Sequence, residues 1–185
     1  MDQLTRNHFN NLQSQDSELR YASFQYLIDI TNHPVDWAYE VWDDLLSLIK
    51  TGDNHQRTIA VQLLSNLSKS DPENRMAKDF DQLIAVTKDE KFVTARHSLQ
   101  CLWKVAIVNN EVRSKVIAGL TDRFNESTNE KNCTLIRYDI LQVFRKVYDE
   151  VHDEQLKEKS LALIETEDDL KYRKKYLSVW KDVSK

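Results

Sequence analysis

KFVTARHSLQCLWKVAIVN, residues 91–109, decides the fold. Arg96 is followed by Leu99, Leu102, Trp103 and Ala106, at offsets +3, +6, +7 and +10. On a helix with 3.6 residues per turn these offsets share one side. The whole stretch therefore reads as one helix with an arginine heading an apolar stripe.

Working outward, the same stripe recurs around four other arginines. After Arg57 it gives Ala60, Leu63, Leu64 and Leu67; after Arg137, Ile140, Val143, Phe144 and Val147. After Arg173 it gives Tyr176, Val179, Trp180 and Val183, and after Arg20 a thinner set, Ser23, Tyr26, Leu27 and Ile30. The arginine spacings are 57−20 = 37, 96−57 = 39, 137−96 = 41 and 173−137 = 36 residues. A period near forty, with room for two helices per unit, marks stacked helical repeats. The expected boundaries are 1–33, 34–70, 71–109, 110–150 and 151–185, in a single domain.

The pattern resembles the HEAT-repeat family of the armadillo-like class. The residues that carry the resemblance are the arginines and the acids ahead of them: Asp16 before Arg20, Asp53 before Arg57, Asp89 before Arg96 and Asp169 before Arg173. The fourth unit departs from this, offering only Glu130 ahead of Arg137. The resemblance implies an all-α, right-handed superhelix (a solenoid) of about five helix pairs, in which Arg20, Arg57, Arg96, Arg137 and Arg173 form a ladder between adjacent repeats. It specifies a fold and no activity.

Composition points the same way. Of 185 residues 41% are hydrophobic and 30% charged, with only two glycines and two prolines. So few turn-formers leave little room for tight-turned sheets or glycine-rich phosphate loops. No apolar run approaches the roughly 20 residues of a membrane span, and the polar start MDQLTRNHFNNLQS lacks the apolar core of a signal peptide. Cys101 and Cys133 fall in different repeats and fit a reducing, cytoplasmic setting. The formal net charge is −4. That balance argues against nonspecific nucleic-acid binding, which rests on neutralising phosphates with Lys and Arg.

Local signals place the elements. Leu4, Phe9 and Leu12 are the apolar residues of a thin opening helix. Pro34 suits the first turn of the next one, and Gly52 a left-handed cap at its end. Ser70-Asp71-Pro72-Glu73 combines a cap, a first-turn proline and a reciprocal Ser/Glu box, and Ser127 with Glu130 offers a second box.

If the arginine-headed stripe points inward, positions +1, +5 and +8 point out. They run Tyr21, Gln25, Ile28; Thr58, Gln62, Ser65; His97, Cys101, Lys104; Tyr138, Gln142, Arg145; and Lys174, Ser178, Lys181. The row holds no acid in a net-acidic chain. It is the expected concave partner-binding face, taking an acidic peptide or a partner protein; the plainer reading is a solvated helix face. The best candidates are Tyr21, Gln25, Gln62, His97, Lys104, Tyr138, Gln142, Arg145, Lys174 and Lys181, because tyrosine and arginine combine contact area with directional bonds.

Enzyme readings find little to hold them. Some HEAT-like proteins are glycosylases that excise alkylated purines from DNA, but Trp103 and Trp180 sit in the apolar stripe and Trp37 and Trp42 beside Asp43 and Asp44. His97 and Cys101 are four residues apart, with no further metal-ligand spacing to support them. The expectation is a non-enzymatic interaction scaffold with no metal, no cofactor and no membrane span; the alternative is a nucleic-acid-binding or base-excising HEAT-like protein.

Overall fold

A computed structural model describes residues 1–183; the Val183 side chain and residues 184–185, assigned above to the fifth repeat, lie outside the described residues. The described residues form helices and turns and no strand, and none of their helices is long and apolar enough to cross a membrane. They gather into two compact units that divide between Val105 and Ala106, inside the stretch read as the third repeat.

The first unit holds three helix pairs: α1 (Gln3–Asn11) with α2 (Ser17–Ile30), α3 (Tyr39–Thr51) with α4 (Asn54–Leu67), and α5 (Met76–Ala85) with α6 (Phe92–Cys101). A single helical turn, α7 (Trp103–Ala106), comes next. α4 packs between α2 and α6, while α3 backs onto α4 and touches α5. The stripe after Arg57 is fully buried at Ala60, Leu63, Leu64 and Leu67. Each fully buried large side chain of this kind contributes roughly 1.5–3 kcal/mol.

The second unit pairs α8 (Asn110–Glu126) with α9 (Cys133–Val151) and α10 (Glu154–Glu165) with α11 (Leu170–Leu177), which runs into a 3₁₀ segment, Ser178–Val183. α9 touches α8, α10 and α11. Ile140, Phe144, Val147, Tyr176 and Trp180 are completely buried there, as the stripe requires.

Helix starts are set by acids and amides. Asp2, Asp16, Asp53, Asn109, Asp153 and Asp169 each accept a backbone N–H in the first turn of the helix they precede, satisfying donors that the helix itself cannot. Asp53 and Gln56 form a complete capping box.

Several expected elements come out differently. Residues 91–109 are not one helix. The chain breaks at Leu102, where Leu102 N–H bonds Leu99 O at 3.2 Å and Val105 N–H bonds Leu102 O at 3.1 Å. Those bonds tighten the last turn and rotate the residues beyond it, so Val105 is fully buried and Trp103 only half so, while Ala106 stays buried as expected. α3 starts at Tyr39, not at Pro34. The Ser70 box does not form: the Ser70 hydroxyl accepts the Val35 N–H at 2.9 Å, and Asp71 caps α5 through the Arg75 and Met76 amides, each at 2.8 Å. Nor does the Ser127 box, because that hydroxyl donates to Phe124 O at 2.8 Å while the Glu130 carboxylate grips Arg123. Gly52 is extended (φ −73°, ψ 165°) rather than left-handed. Leu4, expected to help bury α1, is exposed.

Candidate functional site

Three of the five arginines, Arg20, Arg57 and Arg137, reach a carboxylate of the next helix pair within their unit, by a rule that involves both oxygens of that carboxylate, while Arg173 pairs with Glu165 of its own helix pair. Arg57 Nε donates to Asp89 Oδ2 at 2.6 Å, while Asp89 Oδ1 accepts the Lys91 N–H at 2.9 Å ahead of α6. Arg137 donates to Glu167 Oε2 at 3.0 Å, while Glu167 Oε1 accepts the Asp169 N–H at 3.2 Å ahead of α11. Arg20 lies 3.9 Å from Asp53 Oδ2, while Asp53 Oδ1 accepts the Gln56 N–H at 2.8 Å. In each case one oxygen holds the entry to its own second helix and the other takes the arginine of the preceding pair.

The same arginines tie down their own loops. Arg20 donates to Ser14 O, Arg57 to Gly52 O and Arg173 to Glu167 O, at 3.0, 2.9 and 2.8 Å. Arg137 reaches Phe124 O at 3.3 Å and Thr128 Oγ1 at 2.9 Å. The Asp89 carboxyl feels burial, which pushes it up. The Arg57 guanidinium and the Lys91 amide outweigh that and hold it below the usual carboxylate range. The Arg57 guanidinium is correspondingly pushed up, chiefly by its bond to Asp89.

Two concavities lie over these pairs. One, of about 560 Å³, is lined by Arg137, Glu167, Asp169 and Tyr172. The other, of about 460 Å³, sets Ile49, Ala85 and Val86 beside Arg57 and Asp89. Their polar groups are largely engaged in holding helix pairs together. Among the described residues no group of three or more His, Cys, Asp or Glu side chains could hold a metal ion.

The outward row is more structural than expected in the first unit. Tyr21 and Gln25 on α2 are exposed, as is His97 on α6. Ser65, however, is buried, with its hydroxyl 3.3 Å from Cys101 Sγ. Gln62 is half-buried and turns back to Thr58 O. Lys104 is half-buried and donates to Asn66 Oδ1 at 2.5 Å. Asn66, missed in the sequence, is the hub: its Nδ2 donates to Ile28 O at 3.2 Å and to Thr31 Oγ1 at 3.0 Å. Its signal was an amide one position past the outward row, and it is fully buried. Beside it, burial and then the Lys104 charge push the Lys69 ammonium down, and Lys69 Nζ donates to Asn32 O at 2.8 Å.

In the second unit the row is drawn together. The Lys175 ammonium sits 4.6 Å from the centre of the Tyr138 ring, joining α9 to α11. Arg145 donates to Val179 O at 2.8 Å and to Asp149 at 2.7 Å. Tyr138 and Gln142 are half-buried, and Lys174 and Lys181 are exposed. Lys171, Lys174, Lys175 and Lys181 make no ion pair among the described residues. Lys175 was overlooked because it lies at offset +2, just off the row.

The tryptophans do not form a stacking platform. Trp42 and Trp180 are fully buried, and Trp42 Nε1 donates to Asp79 at 2.9 Å. Trp37, which precedes α3, packs edge-on against Phe9 at 5.7 Å.

No family model and no curated protein matches the chain.

Proposed function

We propose that the chain is a HEAT-like, armadillo-type helical-repeat protein acting as a non-enzymatic interaction scaffold, which takes an acidic peptide or the acidic patch of a partner protein on its outward second-helix face. The repeat reading is supported by arginines that reach the next helix pair's cap carboxylate within each unit. The binding reading rests on one observation: α11 and the segment after it carry four exposed lysines with no ion pair among the described residues, one of which, Lys175, sits over the half-buried Tyr138. Such cations supply charge-assisted bonds to carboxylates, and tyrosine supplies area. The fit is to a ligand bringing several acids close together, held without covalent chemistry.

The test is fluorescence anisotropy with a labelled glutamate-rich peptide. Binding should weaken as salt screens the lysines, and Tyr138→Ala with Lys174→Glu should lower affinity tenfold or more. Arg145 is a poor probe because it holds the Val179 carbonyl. No binding at low salt, or binding indifferent to both substitutions, sinks the reading. The α11 lysines are also what a phosphate backbone would use, so duplex DNA, plain and alkylated, belongs in the same titration. Tight binding with release of the damaged base would favour the base-excising alternative.

A further inference from the structure

On α4 and α9 the positions flanking the arginine at −3 and +4 adjoin the next helix pair or are buried, whereas Val93, at −3 on α6, is exposed. On α4 these are Asn54, whose carbonyl accepts from Thr94 Oγ1 of α6 at 3.0 Å, and the fully buried Val61. On α9 they are Thr134, whose carbonyl accepts from Tyr176 Oη of α11 at 3.2 Å, and the fully buried Leu141. On α11 the same positions are Leu170 and Leu177, which are 75% and 40% exposed. Between them, Arg173 folds back to Glu165, 3.6 Å away within its own helix pair. The last helix thus presents a stacking face that nothing covers among the described residues.

The opposite kind of face is found on α2. The positions that reach back to the preceding pair lie at −2 (Thr94 of α6), −1 (Gln56 of α4, toward Leu12 O) and +9 (Asn66 of α4, toward Ile28 O). On α2 these are Glu18, Leu19 and Asp29; Leu19 is 42% exposed, and neither acid has an ion pair among the described residues. Asp16 stands four residues before Arg20 (20−16 = 4), as Asp53 stands before Arg57 (57−53 = 4). It is the cap acid that a preceding pair's arginine would meet. One face has two uncovered leucines and an arginine; the other has an uncovered leucine, a cap aspartate and two acids without an ion pair among the described residues.

We propose that the chain associates with further copies of itself head to tail, α11 of one copy stacking on α2 of another. Arg173 then meets the other copy's Asp16, and Leu170 and Leu177 cover its Leu19 and Ala22. The contact is heterologous: each copy keeps one unused face of each kind, so association continues beyond a pair.

Sedimentation of the full chain tests this. Weight-average mass should rise with concentration up to about 1 mM and fall back in 1 M salt, where the screening length is about 3 Å. Leu170→Glu with Leu177→Glu should abolish association, and so should Leu19→Glu with Ala22→Glu, since all four residues are exposed and circular dichroism will report an intact fold. Mixing the two variants should give one-to-one pairs and nothing larger, each supplying the face the other lacks. A chain monomeric at all concentrations, association that survives the leucine changes, or variants that fail to pair when mixed would each overturn the proposal. Glutamate-peptide binding by the Leu19/Ala22 variant separates the two readings, because that readout does not need α2's backward face.

Discussion

Arg57 bonds Asp89 at 2.6 Å across 32 residues, although Asp53 stands only four residues away from it in the chain (57−53 = 4). The nearer acid is occupied: one oxygen of Asp53 caps α4 through Gln56, and the other faces Arg20. An acid that caps its own helix has one oxygen left, pointing away from that helix toward the preceding pair. The arginine must therefore bond forward to the next acid. Local capping and long-range stacking share one carboxylate, so losing it should cost more than losing a surface pair.

Asp89→Asn measures that sharing. The Asp89 side chain is only 5% exposed, so its bond to Arg57 is not a screened surface contact. The substitution should destabilise the protein by about 1.5–3 kcal/mol at pH 7 in urea unfolding, as for a hydrogen bond to a charged group. The folded carboxyl is held below its unfolded value of about 3.9. Its contribution is thus fully present above about pH 4 and is lost as pH falls through the lower folded value. The difference between wild type and Asp89→Asn should shrink over that acid range. A constant difference from neutral pH to about pH 2 would show that the ion pair contributes nothing.

Gly52→Ala separates two reasons for a glycine. A left-handed cap would tolerate asparagine. Gly52 is instead extended, and a Cβ there would meet Leu48 O at 2.6 Å and Gln56 Cβ at 2.8 Å. Leu48 O cannot retreat without stretching its 3.0 Å bond from the Gly52 N–H. Gly52→Ala and Gly52→Asn should both lower stability, by about 1–3 kcal/mol as for other forced contacts. Thermal melts in which asparagine matches wild type would point to a left-handed conformation instead.

The arginine-headed stripe was legible because burial repeats along a helix regardless of what lies across from it. Leu64, Phe144 and Trp180, identified from offsets alone, are all fully buried. What was not legible is any choice between equivalent polar partners. Ser70 looks like a cap from its neighbours, yet Val35, distant in the chain, claims its hydroxyl. Ser65 occupies an outward offset, yet Cys101 from α6 comes within 3.3 Å of it. The Trp103 reading assumed a helix running on to Asn109. The break at Leu102 shifts the register there, leaving Trp103 half-buried although Leu102 and Ala106 are buried as their offsets require.

Asn66 should prove as important as an apolar core residue. It bonds Ile28 O, Thr31 Oγ1 and Lys104 Nζ, linking the ends of α2, α4 and α7. Asn66→Leu keeps the volume and removes all three of these bonds. Leaving buried groups unsatisfied costs about 1–3 kcal/mol each, so the loss should exceed that of Ser65→Ala, measured by urea midpoint. Asn66→Leu matching wild type would mean that water replaces the amide without cost.

Phe144→Ala and Trp103→Ala test the broken register. Phe144 is fully buried in α9, and truncating such a ring costs about 3–5 kcal/mol because the cavity closes only partly. Trp103 removes more atoms but is only half-buried, past the tightened turn. If the helix ran unbroken to Asn109, Trp103 would occupy the same slot as Phe144, and its loss would cost at least as much. With the turn in place, part of the ring is already in water and the cavity opens to solvent, so Trp103→Ala should cost less than Phe144→Ala. Chemical unfolding of the two variants side by side decides it: equal losses, or the larger loss at Trp103, would require a continuous helix.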